Sequence, residues 1–199
     1  MEDSTMPGET PRWTSKTVIL SAVVVGLSFC SVLDVLAVES RSKSIEVTSS
    51  AFVADAVIPV AHTGDGKDVS PALMWSGVPE GTKELALIVD DPDAPTPQPW
   101  VHWVMYKIPP SETGLPKGIA TSPKLENPKD ALQGKNSWGT IGYRGPAPPP
   151  GHGVHHYHFK LYALDTELSA EAGLDKQALL KLIEGHVLAE GELTGTYSR

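Results

Sequence analysis

Cysteine is all but missing from this chain of 199 residues: Cys30 is the only thiol, and it sits inside the N-terminal apolar run. The remainder of the chain can form no intramolecular disulfide and offers neither a CxxC metal pair nor a cysteine nucleophile. Positive charge is scarce as well, with 16 Lys and Arg against 24 Asp and Glu and a formal net charge of −8. A generic nucleic-acid binder needs a basic surface to displace counterions from phosphates, so that class is excluded. The usual catalytic signatures are missing too. There is no GxSxG elbow, no HExxH pair, and Gly64-Asp65-Gly66-Lys67 lacks the spacing of a phosphate loop.

What the chain does contain is proline and glycine, 18 of each, beside 40% hydrophobic residues. That apolar content is too high for disorder, so the composition describes one loop-rich globular domain with strands joined by long turns. At the N-terminus Arg12 and Lys16 precede a stretch without charge from Thr17 to Leu33, and Val35-Leu36-Ala37 places small or slim residues at a cleavage position. Residues 1–37 therefore read as a secretory signal peptide or an N-terminal membrane anchor, the anchor running through residues 17–33. Residues 38–44 form a polar linker and residues 45–199 the folded domain. The expected location is exported, periplasmic or secreted.

Within the domain, Ile45-Glu46-Val47-Thr48 alternates with period two and predicts the first strand. Val57 to Val60 reads as an edge strand because Pro59 cannot donate to a central ladder. Short strands follow at Ala72–Trp75 and Glu192–Tyr197, with longer ones at Glu84–Asp90, Trp100–Ile108 and Val154–Leu164. Asp175 can cap a helix in which Ala178, Leu179, Leu182, Ile183 and Val187 form the inner stripe, with Lys176, Lys181 and Glu184 outside. Many strands and one late helix predict an antiparallel, mostly β domain.

Chemistry-bearing residues gather at strand ends. Leu85, Leu87, Val89 and Asp91 share one strand face, so an apolar stripe ends in a carboxylate, and Pro92 and Pro95 stiffen the turn carrying Asp93. On the next strand Trp100, His102, Val104 and Tyr106 share a face by simple alternation, which sets His102 among large rings. Gly145 to Gly151, with four prolines, can be neither helix nor central strand and predicts a rigid wall. It delivers His155 and Tyr157 side by side on the buried face of a strand, where imidazole and phenol can hold an anion.

Four histidines between His152 and His158 raise a metal site as a rival, but strand parity sends His155 and His156 to opposite faces and no recognised zinc spacing completes the set. No metal and no cofactor is expected. An Asp and His pair can also do acid–base work, so a small hydrolase or isomerase using Asp91 or Asp93 with His102 is the alternative class. A third class is an interaction module that modulates another protein when its pocket is occupied.

At Asp91-Pro92-Asp93-Ala94-Pro95, Trp100-Val101-His102, and Gly145-Pro146 through Gly153-Val154-His155-His156-Tyr157, the sequence closely resembles the phosphatidylethanolamine-binding protein family. These are the Raf-kinase-inhibitor-like proteins, and Gly185-His186-Val187-Leu188-Ala189 is similar to their bacterial and archaeal branch. The resemblance covers about Ile45 to Tyr197. It implies a large central antiparallel sheet, a smaller second sheet, and a C-terminal helix near a small anion pocket. The pocket would use Asp91, Asp93, His102, His155 and Tyr157, with the Gly145-Pro146 backbone as one wall. His156 stands where the animal branch usually carries arginine, so kinase inhibition is not implied. The expectation is an exported protein that binds a phosphate- or carboxylate-bearing small molecule or a phospholipid headgroup. A homodimer is compatible with it, and no protein partner is named.

Overall fold

The computed structural model describes residues 44–199, so the expected leader over residues 1–37 and nearly all of the expected linker lie outside the described residues. Nine regular elements follow in order: β1 (Glu46–Thr48), β2 (Leu73–Ser76), β3 (Glu84–Asp91), β4 (Trp100–Ile108), β5 (Gly114–Leu115), β6 (Leu132–Gln133), β7 (His155–Leu164), α1 (Lys176–Ile183) and β8 (Val187–Tyr197). The larger sheet has the order β6-β4-β3-β7-β8 and the smaller β1-β2-β5, each antiparallel throughout. This is the mostly β, two-sheet architecture expected.

The apolar run of β3 is buried along its whole length because both faces of the central strand are covered. Leu85, Leu87 and Val89 join Phe159 and Leu161 in a core closed by Val47, Leu73 and Trp75 of the smaller sheet. Ala86 and Ile88 face the other way, onto Leu179 and Ile183 of α1. Sealing each of those two helical side chains contributes roughly 1.5–3 kcal/mol, which a helix of eight residues needs because it is too short to stand alone.

Four local expectations need correction. Val57–Val60 is not a strand: Val57 makes a single parallel bridge to Thr196, and Pro59 leads into a 3-10 turn over Val60–His62. This segment covers the outer edge of β8, with amides of Asp55 and Ile58 donating to the carbonyls of Thr194 and Thr196. In α1, Asp175 caps as expected by accepting from the Ala178 amide at 2.8 Å. Leu182 is nevertheless exposed, and Lys176 turns inward to a buried aspartate, Asp90. Val187 already belongs to β8, because Gly185 at φ 80° breaks the helix.

The fourth correction sets up the site. Simple alternation would place His102, Val104 and Tyr106 together, but Asp90 pairs with Val101 while the preceding Val89 pairs with Trp103. His102 is thus an extra residue in a β-bulge, a device that re-aims one side chain. Val101, Val104 and Tyr106 pack toward α1, Trp103 and Met105 toward the two-sheet core. His102 goes with the core side, its ring edge-on to Tyr157 at 5.1 Å.

Candidate functional site

A cavity of about 260 Å³ opens where β3, β4 and β7 end, lined by Asp91, Trp100, His102, Trp138, His155 and Tyr157 together with parts of two proline-rich loops. Of the residues expected from sequence, Asp91, His102, His155 and Tyr157 converge on this space. Asp93, Gly145 and Pro146 do not line it; they hold its walls.

Asp91 closes the apolar stripe of β3. Its Oδ1 accepts from the Asp93 amide at 2.9 Å, which fixes the Asp-Pro turn, and its Oδ2 accepts from His155 Nδ1 at 2.7 Å. The far nitrogen of His155, Nε2, meets Nδ1 of His152 at 2.8 Å. Because His155 Nδ1–H donates to the carboxylate and Nε2 is left to accept from His152, a chain of hydrogen bonds runs from Asp91 through His155 to the exposed His152.

His102 is held differently. Its Nδ1 donates to the carbonyl of Arg144 at 2.6 Å, so that nitrogen must carry the proton, and Nε2 keeps a lone pair when the ring is neutral. Burial holds the imidazole below its ordinary value, opposed in part by that carbonyl and by the Asp91 charge. The Arg144 side chain meanwhile stacks on Trp138, 4.9 Å from the ring centroid. Trp138 in turn meets the edges of Trp100 and His102, each at 5.2 Å between centroids.

Tyr157 supplies the least satisfied group. Its ring is 1% exposed, and its hydroxyl finds no hydrogen-bond partner among the described residues. Burial first, and the nearby Asp91 charge second, push the phenol far above its ordinary value, so it stays protonated. A buried hydroxyl without a partner costs about 1–3 kcal/mol, and native proteins tolerate that mainly where another molecule supplies the partner.

The walls come from the two loops. Asp93 Oδ2 accepts from both the amide and Nδ1 of His156, at 2.9 and 2.7 Å, which ties the turn bearing Ala94, Pro95 and Thr96 to the start of β7. Burial alone would raise the Asp93 carboxyl, but the hydrogen bonds and charge of His156 outweigh it and hold the group below its usual range. Opposite, the Gly145 amide donates to Asp68 at 2.6 Å, and a Cβ there would come within 2.2 Å of the His62 carbonyl oxygen, so only glycine fits. The Pro146 carbonyl accepts from Gly64 at 2.8 Å. The wall proper is therefore Ala147, Pro148 and Pro149, one step later than expected. The implied proximity of the helix also needs correction, because α1 packs on the opposite face of the sheet and contributes no lining residue.

Sequence reasoning passed over Trp138, which lies in a stretch without periodicity. Its signal is the turn chemistry of Asn136, whose Oδ1 accepts from the amides of Trp138 and Thr140 and presents the indole at the rim. His155 is buried and His156 exposed, as parity requires, and no metal-holding cluster of three or more His, Cys, Asp or Glu occurs among the described residues.

Residues 48–198 match the family model described as phosphatidylethanolamine-binding protein. The chain belongs to the phosphatidylethanolamine-binding protein family. Within that family it is 51% identical over 142 residues to a UPF0098 protein of Methanothermobacter thermautotrophicus, covering 71% of this chain and 91% of the relative. Among solved structures it is similar to Escherichia coli YbcL, described as a member of the mammalian family of this name, with 35% identity and a TM-score of 0.74 over 78% of this chain and 99% of that one. A phosphatidylethanolamine-binding protein homologue from Chlamydia trachomatis matches with 38% identity and a TM-score of 0.71, over 79% and 99% of the two chains. These family members share the fold over the domain that carries the cavity.

Proposed function

We propose that this protein is an exported binding protein whose cavity takes a phosphate- or carboxylate-bearing small molecule, or the headgroup of a phospholipid. One observation carries the reading: Tyr157 lines the cavity, and its buried hydroxyl has no hydrogen-bond partner among the described residues. The neighbouring His102 has only its Nδ1 in a hydrogen bond among the described residues, which leaves Nε2 as a second polar group for the same guest. At about 260 Å³ the space lies just below the ~300–1,000 Å³ of drug-sized pockets, which suits a headgroup-sized ligand. Trp100, Trp138 and the prolines of both loops would exclude water and strengthen each polar contact. Family membership supports the same reading, and the leader pattern over residues 1–37 supports export.

Calorimetric titration with inorganic phosphate and with phosphoethanolamine tests the binding. Saturable heat is expected for at least one probe, weakened by about tenfold in His102→Gln through loss of a ring hydrogen bond. Absence of heat from both probes between pH 5 and 7 would end the proposal. Mass spectrometry of the protein recovered from its own cell envelope tests export. A mature N-terminus just after Ala37, or an intact membrane-bound leader, is expected, and full-length protein in the cytosol would contradict it.

A further inference from the structure

The donors and acceptors that the cavity presents are unevenly divided. His102 has committed its only ring proton to the Arg144 carbonyl, so toward the cavity the neutral ring can only accept. Asp91 is an acceptor on both oxygens, already taking His155 Nδ1 and the Asp93 amide, with lone pairs to spare. The His155 ring spends Nδ1 on Asp91 and Nε2 on His152, and gives the cavity no donor. The donors left are the unpartnered Tyr157 hydroxyl and the indole N–H groups of the lining residues Trp100 and Trp138. An oxyanion without a proton would satisfy Tyr157 while setting its other oxygens against His102 Nε2 and the Asp91 carboxylate.

We infer that the cavity selects an oxyanion that still carries a proton, a hydrogen phosphate or a protonated phosphomonoester, and rejects fully ionised oxyanions such as sulfate. This inference rests on the proposed anion-binding reading and sharpens it to a ligand class. The ligand's own hydroxyl donates to His102 Nε2 or Asp91, and one of its oxygens accepts from Tyr157. No proton has to be taken up by the buried His102, whose surroundings resist charging it. A site built to hydrogen-bond a hydroxyl discriminates strongly against an analogue lacking one, because its own buried groups are then left unpaired.

The test is a calorimetric titration of the whole protein at constant ionic strength with inorganic phosphate, sulfate and methyl phosphate at pH 5.5, 6.5 and 8. Inorganic phosphate retains a proton throughout, sulfate has none, and methyl phosphate gives up its last proton near pH 6. Phosphate is expected to bind about tenfold or more tightly than sulfate at every pH. Methyl phosphate should follow phosphate at pH 5.5 and fall toward sulfate at pH 8. The titratable and charged groups around the cavity are Asp91, Asp93, His102, His152, His155, His156 and Tyr157, with Asp68, Arg144 and Arg199 farther back. Sulfate, which stays a dianion over this range, reports their titration separately. Equal affinity for phosphate and sulfate would overturn the selection while leaving anion binding intact. No binding of any of the three would remove the anion-binding reading, and the inference with it.

Discussion

Asp90 and Asp91 are consecutive on β3, 1% and 3% exposed, and the pleat sends their side chains to opposite faces of one sheet. Asp90 looks toward α1, where Lys176 Nζ bonds its Oδ2 and Lys160 Nζ stands 3.5 Å from its Oδ1. Two cations neutralise it, so it joins helix to sheet. Asp91 looks toward the two-sheet side, where its partner is an imidazole and the space beside it is open. Equal burial of the same residue type thus says little about its role. Asp90 Oδ1, like the Tyr157 hydroxyl, has no hydrogen-bond partner among the described residues, so what separates anchor from receptor is the partner's chemistry, two ammonium groups against an imidazole, and the cavity that Asp91 lines.

The largest expected effect lies on the Asp90 side. Lys176→Met should cost about 3 kcal/mol in urea unfolding, since it removes the hydrogen-bonded partner of a buried carboxylate and leaves only Lys160, 3.5 Å away, to offset the charge. Phosphate affinity should stay unchanged; a large loss of affinity would break the division between the two faces. Next comes Gly145→Ala, where the added methyl meets the His62 carbonyl and the neighbouring Thr63 backbone. A loss of about 2 kcal/mol is expected from overpacking, together with weaker phosphate binding as the proline wall shifts.

A smaller effect is expected from pH. Burial depresses His102 in the folded protein, so between that lowered value and about 6.5 the unfolded chain binds the extra proton and the folded one does not. Stability is therefore full above about pH 6.5 and is lost as pH falls toward the folded value. Melting curves at pH 7 and pH 5 should show this drop shrinking in His102→Gln, and an identical drop would remove His102 as its source. The smallest change belongs to His156→Ala on the exposed tether: about 0.5 kcal/mol or less in stability, with a measurable fall in phosphate affinity as the Asp93 turn loosens.

Much of the fold was legible because its signals are local. The continuous apolar run of β3 and the alternation of His155, Tyr157, Phe159 and Leu161 each identify a strand without reference to the rest of the chain. The positions of His102 and of the wall were less legible, because each depends on a distant segment. A bulge opposite Val89 and Asp90 decides where His102 points, and contacts with His62, Gly64 and Asp68 decide which proline faces the cavity. Pattern along one strand cannot register either. Val57–Val60 misled for a related reason: its residues suit an edge, but the edge it serves belongs to β8, far along the chain.

The most direct test of the account is Tyr157→Phe, which deletes one oxygen and keeps the ring. Melting and phosphate titration of the same variant read both sides of the comparison at once. Removing a buried hydroxyl without a partner should leave the melting temperature equal or higher, while phosphate affinity falls by about tenfold. Unchanged affinity in a normally folded variant would contradict the claim that this hydroxyl is held in reserve for a ligand.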